Sequence, residues 1–376
     1  MKVGVDARSL SRPLTGIGRY TLEMCRALSK INDISLYLYS PAPVFNEYRL
    51  GLESAHIRNK DWHGDLSRQF WSETYLPLWV KEDDVDLFWG PAHRLPRLLI
   101  NKISSVVTIH DLVWKYAGET MRPISRLLEH YQMPLAVRAA DAVVADSQAT
   151  ADAVAGEFCI AADRLSVVLL GTNATPCVAP LETLQPLGVN RPYFLFVGTL
   201  EPRKNLARLL AAYSRLPEPT KAQCMLVIAG GKGWGGVNID DMVADLSLLS
   251  HVRVLGYIDE SVLAALYANA EFLAMPSLYE GFGLPLIEAM AHGVPALTAN
   301  NSSMPEVAGD AALLVNALDV EAIENGLNQL IINEKLKSEL AGNAKRNASR
   351  FDWDESAKQL VGVFEKAISI RESRLA

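Results

Sequence analysis

Short apolar runs recur along this chain, each followed by a longer stretch whose apolar positions fall three and four residues apart. Lys2–Asp6, Ile34–Tyr39, Leu87–Trp89, Ser105–Ile109 and Ala142–Ala145 read as strands of one sheet. Tyr193–Val197, Cys224–Ala229, Val252–Leu255, Ala270–Met275 and Pro295–Thr298 read as strands of a second. Helical spacing covers Tyr20–Ser29, Ile124–Ala140 and Leu206–Leu216, and an amphipathic helix over Glu355–Ile370 follows Phe351-Asp352-Trp353. Alternation of this kind predicts parallel sheets with helices on both faces. The expected fold class is α/β, with two Rossmann-like doubly wound parallel-sheet domains facing across a cleft. Ligands of such sheets bind at the carboxyl ends of the strands.

Pro176, Pro180, Pro186, Gly188 and Pro192 punctuate a weakly patterned stretch that reads as a connector. The expected organisation is a first domain over 1–175, a linker over 176–192, a second domain over 193–354 and a C-terminal helix over 355–376 that can cross back to the first domain. At 376 residues the chain exceeds one ordinary core. With 49% hydrophobic and 21% charged residues it has the composition of a soluble globular protein. No apolar run reaches spanning length. Met1-Lys2-Val3-Gly4-Val5 enters a strand without a signal-peptide pattern, so a cytoplasmic location is expected. Cys25, Cys159, Cys177 and Cys224 lack metal or redox spacing and read as reduced thiols. Residues 1–175 carry 19 Lys and Arg against 20 Asp and Glu, and the remainder 17 against 23. This balance argues against a nucleic-acid partner. The near-neutral first half is the part that tolerates peripheral contact with an anionic membrane.

Candidate chemistry gathers at strand ends. Tyr279-Glu280-Gly281-Phe282-Gly283-Leu284-Pro285-Leu286-Ile287-Glu288 sets two carboxylates around a glycine turn at a helix mouth. Pro285 suits a first helical position, and Gly281 and Gly283 permit positive φ and close approach. The helix-start amides suit an anion, with Glu280 in the turn and Glu288 in the first helical turn. The competing reading is a loop-to-helix junction in which Glu288 only complements the helix dipole. Gly198-Thr199-Leu200-Glu201-Pro202-Arg203-Lys204-Asn205 follows a strand and offers a phosphate clamp, or else a solvated basic turn. Ala229-Gly230-Gly231-Lys232-Gly233-Trp234 allows close approach to a ring or ribose, or forms a mobile loop. Thr15-Gly16-Ile17-Gly18-Arg19 resembles half of a dinucleotide fingerprint, but position 21 is Thr21, so no nicotinamide cofactor is expected. His110 ends a strand and suits a sugar hydroxyl or a proton relay. Asp84-Val85-Asp86 sits at the strand end away from a cleft and reads as solvated charge, so no metal is expected. Trp62, His63, Arg68, Phe70, Trp71, Tyr75 and Trp79 read mostly as packing, with lining of an acceptor groove as the alternative. Trp114, Tyr116, Met121, Arg122 and Arg126 are weaker candidates for a lipid-linked acceptor.

Together with Gly256-Tyr257, Pro276-Ser277 and Ser302-Ser303-Met304-Pro305-Glu306-Val307, these motifs resemble retaining family-4 glycosyltransferases of the GT-B fold. The nearest in feel are bacterial polysaccharide mannosyltransferases. The resemblance implies that Arg203 and Lys204 hold the donor diphosphate, and that the amides of Gly281, Phe282, Gly283 and Leu284 hold the sugar and phosphate. It implies that Glu280 contacts the sugar, Glu288 the ribose and His110 the donor sugar, while Gly16 and Gly18 line the cleft. It further implies a nucleotide-sugar donor, GDP-mannose before a UDP-sugar, and a glycan or polyprenyl-linked acceptor. No metal or other cofactor is implied. A nucleotide-sugar epimerase of the same fold and a non-catalytic nucleotide-binding partner are the competing functions.

Overall fold

A computed structural model describes residues 1–62, 64–172, 180–235 and 238–375. His63 and the start of the connector, Pro176 and Cys177 included, lie outside the described residues. The chain divides into two compact units. One comprises Met1–Leu112, Leu127–Gly171 and Asp352–Ala376, and the other Val113–Arg126 and Thr172–Phe351.

The first unit carries β1 (Lys2–Asp6), β2 (Ser35–Ser40), β3 (His56–Asn59), β4 (Leu87–Gly90), β5 (Ser104–Ile109), β6 (Ala142–Ala145) and β7 (Leu165–Val167). Their order is β3-β2-β1-β4-β5-β6-β7, with every pairing parallel. The second unit carries β8 (Tyr193–Val197), β9 (Met225–Ala229), β10 (Val252–Gly256), β11 (Phe272–Met275), β12 (Ala296–Ala299) and β13 (Ala312–Val315). Their order is β10-β9-β8-β11-β12-β13, again parallel throughout. In each sheet the order reverses beside its first strand, between β1 and β4 and between β8 and β11. That reversal opens a crevice at the carboxyl ends of those strands.

The inner strands are continuous apolar runs because helices cover both faces. In the second sheet Phe194, Phe196, Leu226 and Ile228 are buried with Leu209, Tyr213, Ile323 and Leu327. The strands that pattern alone does not reveal, β3, β7 and β13, all lie at sheet edges. β3 and β7 are interrupted by polar residues and lack the continuous apolar run that marks a central strand, whereas β13 carries a short apolar run, Ala312–Val315, that is only partly buried.

Two boundaries differ from the sequence expectation. Val113–Arg126 groups with the second unit, not the first. Trp234 Nε1 donates to the Thr120 carbonyl at 2.8 Å, Arg122 lies over the Trp234 ring, and Tyr116 stacks on Tyr279 with centroids 5.5 Å apart. The second unit ends at Phe351, and the last helix runs Trp353–Leu375 within the first unit. There it packs on the helix Gly16–Leu28 and on β5 and β6. Ser356 Oγ donates to the Leu169 carbonyl at 2.6 Å, and Arg374 meets the buried Asp141 at 2.9 Å. Phe364, fully buried, tilts against Trp89 at 6.0 Å.

This packing makes the terminal helix part of the first unit's core. Phe364→Ala is therefore expected to destabilise that unit by about 3–5 kcal/mol. Denaturant unfolding followed by hydrogen exchange should show lost protection in β5 and β6, with β8 and β11 unchanged.

Candidate active site

The loops leaving β8 and β11 interlock at the second sheet's switch point. Gly198 and Gly230 end adjacent strands with φ of +149° and +152°. A Cβ on Gly230 would lie 1.9 Å from the Gly198 carbonyl oxygen, so only glycine allows this approach. A Cβ on Gly233 would similarly meet the Leu200 carbonyl at 2.3 Å. In the structure the glycines of this second loop thus make room for the neighbouring loop.

Past Gly198 the chain turns through Pro202–Lys204 and reaches Asn205, whose φ is +60°. The Asn205 amide holds this turn in place, donating to the carbonyls of Pro276 at 2.8 Å and Ala317 at 2.7 Å. The Arg203 carbonyl accepts from Leu278 N at 2.9 Å. From the β11 side, Glu280 N donates to Ser302 Oγ at 3.1 Å, and Ser303 Oγ donates to the Glu280 carbonyl at 3.0 Å.

These fixed loops bring four charges together. Arg203 Nη1 donates to Glu280 Oε2 at 2.5 Å and to the Tyr279 carbonyl at 2.9 Å, while Nη2 donates to Glu201 Oε1 at 2.6 Å. Lys204 Nζ donates to Glu280 Oε1 at 2.7 Å. Glu201, Lys204 and Glu280 are all buried. Two cations and two carboxylates thus balance with little solvent, Arg203 being the partly exposed member. Burial alone opposes the charged form of Glu280, yet Arg203 and Lys204 outweigh it and lower its pKa from 4.5 to about 2.

The glycine turn then opens the helix Leu284–Ala291. Only Gly283 of its two glycines needs positive φ, at +98°, and a Cβ there would lie 2.6 Å from Met304 Cε. Glu288 is the fifth residue of this helix and lies just beyond its first turn, not within it as the sequence suggests. Its carboxylate accepts from Tyr267 Oη at 2.8 Å.

His110 belongs to the first unit, at the carboxyl end of β5, and is buried. Nδ1 bonds Asp146 Oδ2 at 2.5 Å and Nε2 bonds the Pro91 carbonyl at 2.6 Å. The carbonyl can only accept, which fixes a hydrogen on Nε2. Burial disfavours a charged ring, but Asp146, the Pro91 carbonyl and nearby Asp111 outweigh it and raise the pKa above the ordinary histidine value. His110 therefore stands as a held ring with both nitrogens engaged and its charged form favoured. Asp146, its partner 36 residues away, gave no sequence signal. Gly16 and Gly18 begin the helix Gly16–Leu28 without positive φ; a Cβ on Gly16 meets nothing within 4 Å, and one on Gly18 meets Leu14 at 3.0 Å. Asp86 takes the Lys2 amide at 2.7 Å at the start of β4. Among the described residues no group of three or more His, Cys, Asp or Glu could hold a metal ion.

Residues 14–175 match the model described as Glycosyltransferase Family 4, and 185–347 the model described as Glycosyl transferases group 1. The chain is a family-4 glycosyltransferase. The O-antigen chain mannosyltransferase B of Escherichia coli is 29% identical over 97% of this glycosyltransferase and all of that relative. Among solved structures, sucrose-phosphate synthase from Thermosynechococcus elongatus superposes with a TM-score of 0.76 at 19% identity, covering 97% of this chain and 98% of that one. HepE of Anabaena, in complex with UDP and glucose, gives 0.75 at 20% identity, covering 96% and 98%. Both likenesses show the shared fold, which is GT-B.

In this glycosyltransferase the four-charge cluster also stabilises the second unit. Glu280→Gln takes the carboxylate from the buried Lys204 and one of two from the partly buried Arg203, and is expected to cost about 3 kcal/mol at neutral pH. The depressed pKa gives the wild type stability that is full above about 4.5 and lost as pH falls toward about 2. Urea unfolding across this acid range should show that slope in the wild type and a flatter one in the variant.

Proposed function

We propose that this enzyme moves a hexose from a nucleoside-diphosphate sugar to a glycan or polyprenyl-linked acceptor. The observation that carries the reading is the Arg203–Glu280–Lys204 group, with Glu280 and Lys204 buried, at the crevice between β8 and β11. A diphosphate competes with carboxylates for the same cations. On donor binding, phosphate oxygens take Arg203 and Lys204, and Glu280 turns to hydroxyls of the transferred sugar. The amides of Gly281, Phe282, Gly283 and Leu284, at the mouth of the following helix, suit the sugar and phosphate, and Glu288 suits the ribose.

The name of the Escherichia coli relative, an O-antigen chain mannosyltransferase, supports mannose as the sugar and GDP-mannose as the donor, in polysaccharide assembly. A UDP-sugar is the second choice, favoured by the UDP bound to the structurally similar HepE. As the glycosidic bond breaks, the departing diphosphate gains charge that two fixed cations stabilise. We therefore read the transfer as metal-independent. We assign neither Glu201, which is paired with Arg203, nor Glu280, which accepts from the sugar hydroxyls in this reading, as a nucleophile. This arrangement fits retention through attack on the face the phosphate leaves.

Lys204→Ala is expected to lower kcat by about 100-fold or more at saturating donor, by analogy with loss of one charge-stabilising donor. Steady-state assays with GDP-mannose, paired with circular dichroism to verify folding, provide the check. Wild-type turnover by a folded Lys204→Ala enzyme would contradict the assignment.

A further inference from the structure

Tyr267 reaches Glu288 through a neutral donor, its Oη lying 2.8 Å from Oε2. The phenol belongs to the helix Glu260–Asn269, which packs against the helix that carries Glu288. Several contacts fix where it stands. The preceding residue, Leu266, offers its carbonyl to Tyr193 Oη at 2.6 Å. Tyr193 is fully buried and opens β8, the strand whose loop delivers Arg203 and Lys204. The Tyr267 ring lies almost parallel to that of His292, with centroids 5.9 Å apart and planes at 14°. His292 closes the helix Leu284–Ala291. Ring and hydroxyl of Tyr267 thus engage the end and the middle of the same helix.

The two partners differ in access. Tyr267 is buried, whereas Glu288 is half-buried. A ligand can therefore meet the carboxylate while the phenol acts from behind it. A carboxylate offers about four lone-pair directions over two oxygens, and one phenol hydrogen takes one of them without neutralising the charge. Two neighbouring hydroxyls of a ribose are donors that suit the same carboxylate. Holding a glutamate still costs side-chain entropy, and the phenol removes part of that freedom before a ligand arrives.

We propose that Tyr267 is a positioning residue that presents Glu288 to the ribose diol of the nucleoside diphosphate, and so sets a preference for ribose over deoxyribose. This rests on the assignment of Glu288 to the ribose made above. The test is calorimetry of the full chain with GDP and with UDP, then with the 2′,3′-dideoxy form of whichever the wild type binds. Tyr267→Phe deletes the hydroxyl and keeps the ring. It is expected to weaken the ribonucleotide about tenfold, as for a lost hydrogen bond to a charged group. The dideoxynucleotide should stay within about twofold of wild type, and in a Glu288→Gln background Tyr267→Phe should add nothing further. Thermal melting confirms folding of each variant. Equal weakening of both nucleotides by Tyr267→Phe would overturn the proposal, since the phenol would then serve the fold alone. So would wild-type ribonucleotide binding by Tyr267→Phe where Glu288→Gln binds it weakly, a result that leaves the ribose assignment standing. Wild-type binding by Glu288→Gln, or a wild type that binds neither diphosphate, would overturn that assignment and the proposal with it.

Discussion

Glu280 sits between Arg203 and Lys204, out of solvent, and the local structure of the second unit is arranged to keep it there. A lone buried carboxylate would be costly, and so would either cation without it. The loops that deliver them are accordingly fixed from several directions. Asn205 pins the Arg-Lys turn, Ser302 and Ser303 pin the backbone at Glu280, and paired glycines let adjacent strand ends touch. Glu201 completes the neutralisation. The cost of burying charge is offset here by near-complete pairing, which leaves a site whose cations are preorganised and whose carboxylates are exchangeable.

That exchange links stability to function. A ligand bearing its own negative charge can replace the internal anions without leaving the cations bare. The same carboxylate then serves two states, as counter-ion in the free enzyme and as a hydroxyl acceptor with donor bound. His110 follows related physics in the first unit, where Asp146 and the Pro91 carbonyl hold a buried ring and favour its charged form.

Much of this was legible in the sequence, for reasons specific to each element. Inner strands such as β5, β6 and β9 announce themselves because both faces are buried. The edge strands β3 and β7 do not, since polar residues interrupt them, and the apolar run of β13 is only four residues long. Arg203, Lys204 and Glu280 could be read from their positions after strands, but not their mutual pairing, which joins residues 76 and 77 apart through tertiary contacts. Asp146 was invisible for the same reason. The segment Val113–Arg126 has no composition of its own to mark it, and its grouping depends on where Trp234 and Tyr279 present their rings.

The most direct measurement is a crystal structure of the enzyme with GDP bound. The expected result places phosphate oxygens within hydrogen-bond distance of the Arg203 guanidinium and Lys204 Nζ, with the Glu280 carboxylate withdrawn from at least one of them. A GDP complex in which Arg203, Lys204 and Glu280 keep their mutual contacts while the phosphates bind elsewhere would contradict the central claim.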